Sequence, residues 1–497
     1  MKNVLRINSI DNLVIALEDL KEGQIISDGD KHIELLEDVK AGHKIACKDI
    51  YKGEHLLRYG NSIGRATKDI EMGEWIHTHN LSTNLSGKLE YRYTPNHRRL
   101  ASRKGPTSFK GYKRKNGSVG IRNELWIIPT VGCVNGVAEE IIREFKLKNQ
   151  IDYSNIDNIQ VYKHNFGCSQ LGDDHKNTRT LLVDMVKHPN AGGVLVLGLG
   201  CENNTIDEFK KALGKYDPER TKFLITQDVA DEIQEGLLLL ADLYESMKDD
   251  VREELALSEL KIGLKCGASD GFSGITANPL LGELSNYLVS HGGTTILTEV
   301  PEMFGAETIL MDRAESSEVF NDIVKLINDF KEYFLKHNQP IYENPSPGNK
   351  EGGISTLEEK SLGCIQKGGS ANIVDVLKYG EILSKNGLNL LYSPGNDLVA
   401  STALGASGCQ MVLFTTGRGT PFGSFVPTLK IATNNRIFNL KPHWMDFNAG
   451  ELLEGKSMDK LADEFIEYVV EVANGSYVNN EKNSFREIAI FKTGVTL

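Results

Sequence analysis

"GGVLVLGLGC", residues 192–201, is the stretch on which the fold turns. It is an apolar run closed by glycines and a cysteine, and a helix-like segment follows it. That alternation is the mark of an α/β architecture with a parallel sheet. The pattern recurs along the chain as "LWIIPTVGC" (125–133), "IQVYKHNFGC" (159–168), "LKIGLKCGASDG" (260–271), "GTTILTEVPEM" (293–303), "LNLLYSPGND" (388–397) and "QMVLFTTGRG" (410–419). Between the runs lie stretches such as 316–337, where Val319, Phe320, Ile323, Leu326, Ile327, Phe330 and Phe334 recur at helical spacing.

Working outward, residues 1–81 change style to short β-like runs punctuated by glycine. An acidic turn is echoed four times there, at Asp19–Gly23, Asp38–Gly42, Asp49–Gly53 and Asp69–Gly73. Regular turns between short alternating runs predict a small all-β module over 1–85. A basic stretch over 86–115, with Pro95 and Pro106, reads as a solvated linker. The remainder divides into a first α/β domain over 116–340 and a second over 341–497, with the Pro- and Gly-rich interval 339–356 as a boundary or a functional loop.

The bulk numbers exclude several classes. A chain of 497 residues is too long for one core. Its net charge of −12 argues against nucleic-acid and anionic-membrane partners. No apolar run reaches the length of a membrane span, and the first twenty residues lack the apolar core of a signal peptide, so a cytoplasmic location is expected. The odd number of cysteines, seven, fits thiols, ligands or buried small residues better than disulfides. A homo-oligomer is a base-rate expectation for such a chain.

Four apolar runs end within a residue or two of a cysteine, namely Cys133, Cys168, Cys201 and Cys266. Ligands of open parallel sheets bind beyond the carboxyl ends of the strands, so these positions converge in space although far apart in sequence. Their neighbours include His164, Asp173, Asp174, His175, Glu202 and Asp270. Thiolate, imidazole and carboxylate together suit Fe(II) or Zn(II) rather than Mg²⁺, although small cysteines also pack well at strand ends. In "TTGRGTPFG", Arg418 could clamp a carboxylate, and in "PGND", Asn396 and Asp397 could bond hydroxyls. His77 and His79 in "WIHTHNL" share one face if the stretch is a strand.

"YGNSIGRATKDIEMGEWIHTHNL", "VGIRNELWIIPTVGCVNG", "GCSQLGDDHKNTRTLL", "CGASDGFSGITANPLLG", "SPGNDLVASTALGASGCQMVLFTTGRGTPFG" and "FREIAIFKTGVTL" resemble the altronate/galactarate dehydratase family, essentially from end to end. One departure is Ala268, where that family usually has glycine. The resemblance implies a SAF-type β module ahead of the catalytic region. It also implies an iron-dependent hydro-lyase that converts D-altronate to 2-dehydro-3-deoxy-D-gluconate and water in hexuronate breakdown. Galactarate is the alternative substrate, and a carbohydrate sensor without chemistry the alternative from another class.

Loss of the C2 proton and the C3 hydroxyl needs a base, an acid and stabilisation of a dianion. On this reading His164, His175, Asp174 and Lys265 are the catalytic candidates, and Asn396, Asp397 and Arg418 bind the substrate. Metal-ligand candidates are His77, His79, Cys168, Cys201, Glu202 and Cys266. Fe²⁺ is the expected metal, with Mn²⁺ as a substitute. The scattered cysteine spacing favours a single ion over an iron–sulfur cluster. The β module would act as a lid that brings His77 and His79 over the metal.

Overall fold

The computed structural model describes residues 3–497. The β module is built as expected, from a four-stranded sheet (Val4–Leu5, Leu13–Ala16, Lys44–Ala46, Trp75–Ile76), the hairpin Ile25–Asp28/Lys31–Glu34 and a three-stranded sheet (His55–Arg58, Asn61–Ala66, Leu81–Ser82). The echoed acidic turns explain one another. Asp38 accepts the amide of Glu22 and Asp19 that of Ala41, while Asp69 accepts that of Lys52 and Asp49 that of Met72. Each turn thus closes its partner's turn, and Gly23, Gly42, Gly53 and Gly73 all take the positive φ that the sharp reversal needs.

Residues 83–107 contain neither helix nor strand and most of them are exposed, but several side chains pin them to the rest of the chain. They form a strap along the C-terminal region. Tyr91 donates to Glu307 (2.6 Å), Tyr93 to the carbonyl of Ala314 (2.7 Å), and Arg103 pairs with Asp459 and Asp463.

Two parallel sheets follow. The smaller has the strands β1 (Glu124–Pro129), β2 (Asn158–Val161), β3 (Ala191–Gly198) and β4 (Thr221–Ile225), in the order β2-β1-β3-β4. Its helices are α1 (Asn135–Lys148), α2 (Gly172–Lys187), α3 (Ile206–Leu213) and α4 (Glu232–Met247). The run at 192–201 is apolar throughout because both faces are covered. Leu195 and Leu197 pack towards α1 and α4, while Val194 and Val196 pack with α2 and α3.

The larger sheet has β5 (Lys261–Cys266), β6 (Thr294–Leu297), β7 (Ile373–Leu377), β8 (Gly387–Leu391), β9 (Met411–Thr416), β10 (Thr428–Ala432) and β11 (Phe447–Asn448). They lie side by side as β7-β8-β6-β5-β9-β10-β11, all parallel. Its strands come from both sides of residue 340, so the division expected at 340/341 passes through a single sheet. The break between the two sheets falls instead between α4 and β5.

The two sheets share a core. Helix α2 packs against α5 (Asp397–Ala406), and Val196 and Phe209 lie in one cluster with Leu404 and Phe425. His188, just after α2, bonds the carbonyl of Cys409, just after α5, and Asn190 bonds that of Gln410. Both helices therefore end at the amino edges of their sheets, and both sheets open their carboxyl edges to the same side of the molecule.

Candidate active site

At the carboxyl edge of the smaller sheet, three βα loops meet. Cys133 follows β1, Cys168 follows β2 and Cys201 follows β3, and all three are exposed. The loops are stapled to one another, with Gly132 N on the Phe166 carbonyl (2.9 Å), Asn204 N on that of Gly167 (3.0 Å) and Ser169 N on the Asn203 side chain (2.8 Å). Two of the predicted chemical groups serve as braces here. His164 is buried, with Nε2 on the Pro129 carbonyl (2.8 Å) and Nδ1 accepting the amide of Phe166 (3.1 Å), so both nitrogens brace the loop. The Glu202 carboxylate takes the Thr130 hydroxyl and the amides of Leu199 and Gly200, which leaves it a loop clamp rather than a metal ligand. Asp174 likewise holds the amides of Thr493 and Gly494 in the C-terminal segment. His175 bonds Arg179 one turn along α2 (2.5 Å). Burial and that guanidinium hold its pKa below the ordinary imidazole range.

The carboxyl edge of the larger sheet holds a closed ion network. Lys265 donates to Asp397 (2.9 Å), to Glu299 and to the Cys266 carbonyl (2.6 Å). Lys367 reaches Glu299 (2.7 Å) and the Cys266 sulfur (2.9 Å), and Lys360 pairs with Glu302 (2.8 Å). Burial pulls the Lys265 pKa down, but Asp397 and Glu299 more than offset this and hold it well above the lysine range. Lys265, a catalytic candidate from the sequence, is thus an ion-paired ammonium, which does not suit a base. Cys266, Glu302 and Cys364 have ligand atoms within 4.8 Å of one another. The three ammoniums already neutralise that cluster, so a divalent cation fits poorly.

Between the β module and the larger sheet lies a cleft of about 630 Å³. Arg418 follows β9, Asn434, Asn435 and Arg436 follow β10, Asp270 follows β5, and Lys40 comes from the module. Asp270 accepts from Ser273 and Thr433 (both 3.0 Å) and from Asn434 (2.8 Å). Burial pushes its pKa up, and these hydrogen bonds pull it part of the way back. Arg418 pairs with Glu351 (2.7 Å) at the rim. Ala268, at φ 48°, carries the carbonyl that receives the amides of Gly417 and Arg418.

The module is fixed against this cleft. Lys44 and Arg58 both pair with Glu359, each partner at most 1 % exposed, and His77 Nε2 bonds the Lys350 carbonyl (2.9 Å). His77 also stacks on His43 and Trp75, and burial lowers its pKa. It is a docking residue of a seated module, and the buried triad is at odds with a freely swinging lid. His79 is exposed beside Glu37 and Glu74, the latter already paired with Lys68.

The six predicted metal ligands therefore do not form one site. His77 and His79 lie on the module, Cys168, Cys201 and Glu202 at the smaller sheet, and Cys266 inside the ion network. Asn396 caps α5 through the amides of Leu398 and Val399, away from the Arg418 cleft. Cys364, Glu299, Glu302 and Lys367 went unnoticed in the sequence, since no local motif marks them. Asp270 was visible only as a polar residue at a strand end. The donor set that suits a sulfur-ligated iron is the group of exposed thiols at the smaller sheet.

Family models match the chain in three consecutive segments. They are an altronate/galactarate dehydratase SAF domain over 2–84, the second domain of D-galactarate dehydratase/altronate hydrolase over 111–248, and the C-terminal D-galactarate/altronate dehydratase domain over 257–496. The chain is 57 % identical over its whole length to the altronate dehydratase of Bacillus subtilis, all of which is covered. It is 56 % identical to that of Escherichia coli, with 99 % of each chain covered. Against the galactarate dehydratase (L-threo-forming) of Escherichia coli it is 32 % identical, over 95 % of this chain and 92 % of the other. A β module, two parallel sheets opening to one side and this likeness from end to end place the chain in the altronate/galactarate dehydratase family.

Proposed function

We propose that the chain dehydrates D-altronate to 2-dehydro-3-deoxy-D-gluconate, with iron as its cofactor. The observation that carries the substrate choice is the contrast in likeness, 57 % and 56 % to two altronate dehydratases against 32 % to a galactarate dehydratase. The cleft supports the same reading. Arg418, Arg436 and Lys40 line it beside the carboxylates of Asp19, Glu351 and Glu454, so Arg418 would exchange its Glu351 partner for a sugar-acid carboxylate, and the amides of Asn434 and Asn435 suit hydroxyls. Iron, when bound, supplies a Lewis acid for substrate oxygens, and thiolates of this chain are the donors that suit it.

Asp270 is the base in this reading. Its burial raises its affinity for the C2 proton, and the bonds from Ser273, Thr433 and Asn434 fix its direction. Arg418 and Arg436 stabilise the charge that builds on the carboxylate as that proton leaves. The C3–O bond then breaks as the leaving hydroxyl takes up the proton that Asp270 removed from C2, water departs with Asp270 again a carboxylate, and the enol tautomerises to the 2-keto acid.

The test is an anaerobic assay of the purified chain with a ferrous salt on altronate, galactarate and mannonate. The expected result is a 2-keto-3-deoxy acid from altronate, with much less from the other two. No such product from any of the three overturns the reading, and preferential turnover of galactarate overturns the substrate choice. Asp270→Asn should lower kcat by on the order of 100-fold or more while the folded structure is retained.

A further inference from the structure

We infer that Cys133, Cys168 and Cys201 together hold an iron–sulfur cluster, by three thiolates, at the carboxyl edge of the smaller sheet. The inference rests on the iron of the proposed function and names its site and its form.

The chain has seven cysteines, of which four are buried; the three exposed ones are these. They stand on the loops that follow three neighbouring strands, β2, β1 and β3. Hydrogen bonds of Gly132 to Phe166, Asn204 to Gly167 and Ser169 to Asn203 join the three loops, which brings the cysteines to one sheet edge, and several thiolates at one place suit a polynuclear iron centre.

The loops are built to hold this arrangement. A Cβ on Gly167 would lie 2.0 Å from the Thr130 carbonyl oxygen, and one on Gly132 would lie 2.7 Å from that of His164. The bracing by His164 and Glu202 fixes the same loops and leaves the sulfurs uncommitted. Cys168 meets only the Ser169 hydroxyl (3.8 Å) and Cys201 only the Gln227 amide (3.7 Å). Each cysteine also stands a few residues ahead of a helix, α1, α2 or α3. Three thiolates leave one corner of a four-iron cluster without a protein sulfur, open to an oxygen ligand.

The test uses the full chain, purified anaerobically and reconstituted with iron salts and sulfide. Iron and acid-labile sulfide should be found in near-equal amounts, with a broad visible absorption. Alkylation followed by mass spectrometry should show Cys133, Cys168 and Cys201 protected after reconstitution and labelled before it. Cys133→Ser, Cys168→Ser and Cys201→Ser should each lose most of the sulfide with unchanged circular dichroism, whereas Cys47→Ser in the β module should keep it. Iron bound without sulfide, equal labelling before and after reconstitution, or a full cluster in Cys133→Ser overturns the inference. None of these readouts depends on turnover, so a failed cluster and a failed dehydration assay are told apart.

Discussion

Glu359 shows how much one side chain can carry. It receives both Lys44 and Arg58 in a fully buried triad that joins the β module to the catalytic region. Glu359→Ala leaves two buried cations unpaired and should cost about 3–5 kcal/mol, read from the denaturant midpoint. Ala268 offers a change of opposite sign. Its φ of 48° suits glycine better than alanine, so Ala268→Gly should raise stability by up to about 1 kcal/mol in the same titration. Residue identity alone made the cysteines at the run ends visible. It also made His164 and Glu202 look reactive, because a sequence displays a functional group and hides the partner that occupies it. The ion pairs of Glu299 and Glu302 lie between residues tens of positions apart, beyond the reach of any spacing rule.

Among elements, the strands with unbroken apolar runs were legible, because burial on both faces leaves no polar interruption. The strands β4, "TKFLI", and β10, "TLKIA", escaped notice. Lys222 lies on an edge strand of the smaller sheet, and Lys430 is buried inside the larger one, where it donates to the Phe422 carbonyl. The packing of α2 on α5 has its own signature in His188, whose pKa burial lowers to about 4. The neutral ring bonds the Cys409 carbonyl (3.1 Å) and accepts the amide of Asn190 (3.2 Å). The folded form resists a proton that the unfolded chain accepts near pH 6.5, so this contribution is complete above that pH and is lost as pH falls towards 4. It is on the order of 3 kcal/mol. Thermal melts of the wild type should drop across this window, and His188→Gln should show a shallower drop.

At the scale of the whole molecule, the order of β module, connector and α/β region was readable from composition, but the internal division was not. The interval 339–356 looks like a boundary because proline and glycine cluster there. It in fact passes beneath the module, where the carbonyls of Lys350 and Gly353 receive His77 and Lys44. The strap is mostly exposed, and what its basic composition hides is the pairing of Arg103 with Asp459 and Asp463. That strap has a consequence for the integrity of the enzyme. Arg98, Arg99, Arg103 and Lys104 offer trypsin several bonds in a segment without helix or strand. The seat of the module, Lys44 and Arg58 on Glu359, lies elsewhere. A nicked chain should therefore migrate as two fragments in denaturing gels and as one particle in native size exclusion. In effect the covalent link is a tether that sets local concentration, and two separately expressed pieces should reassemble as a heterodimer.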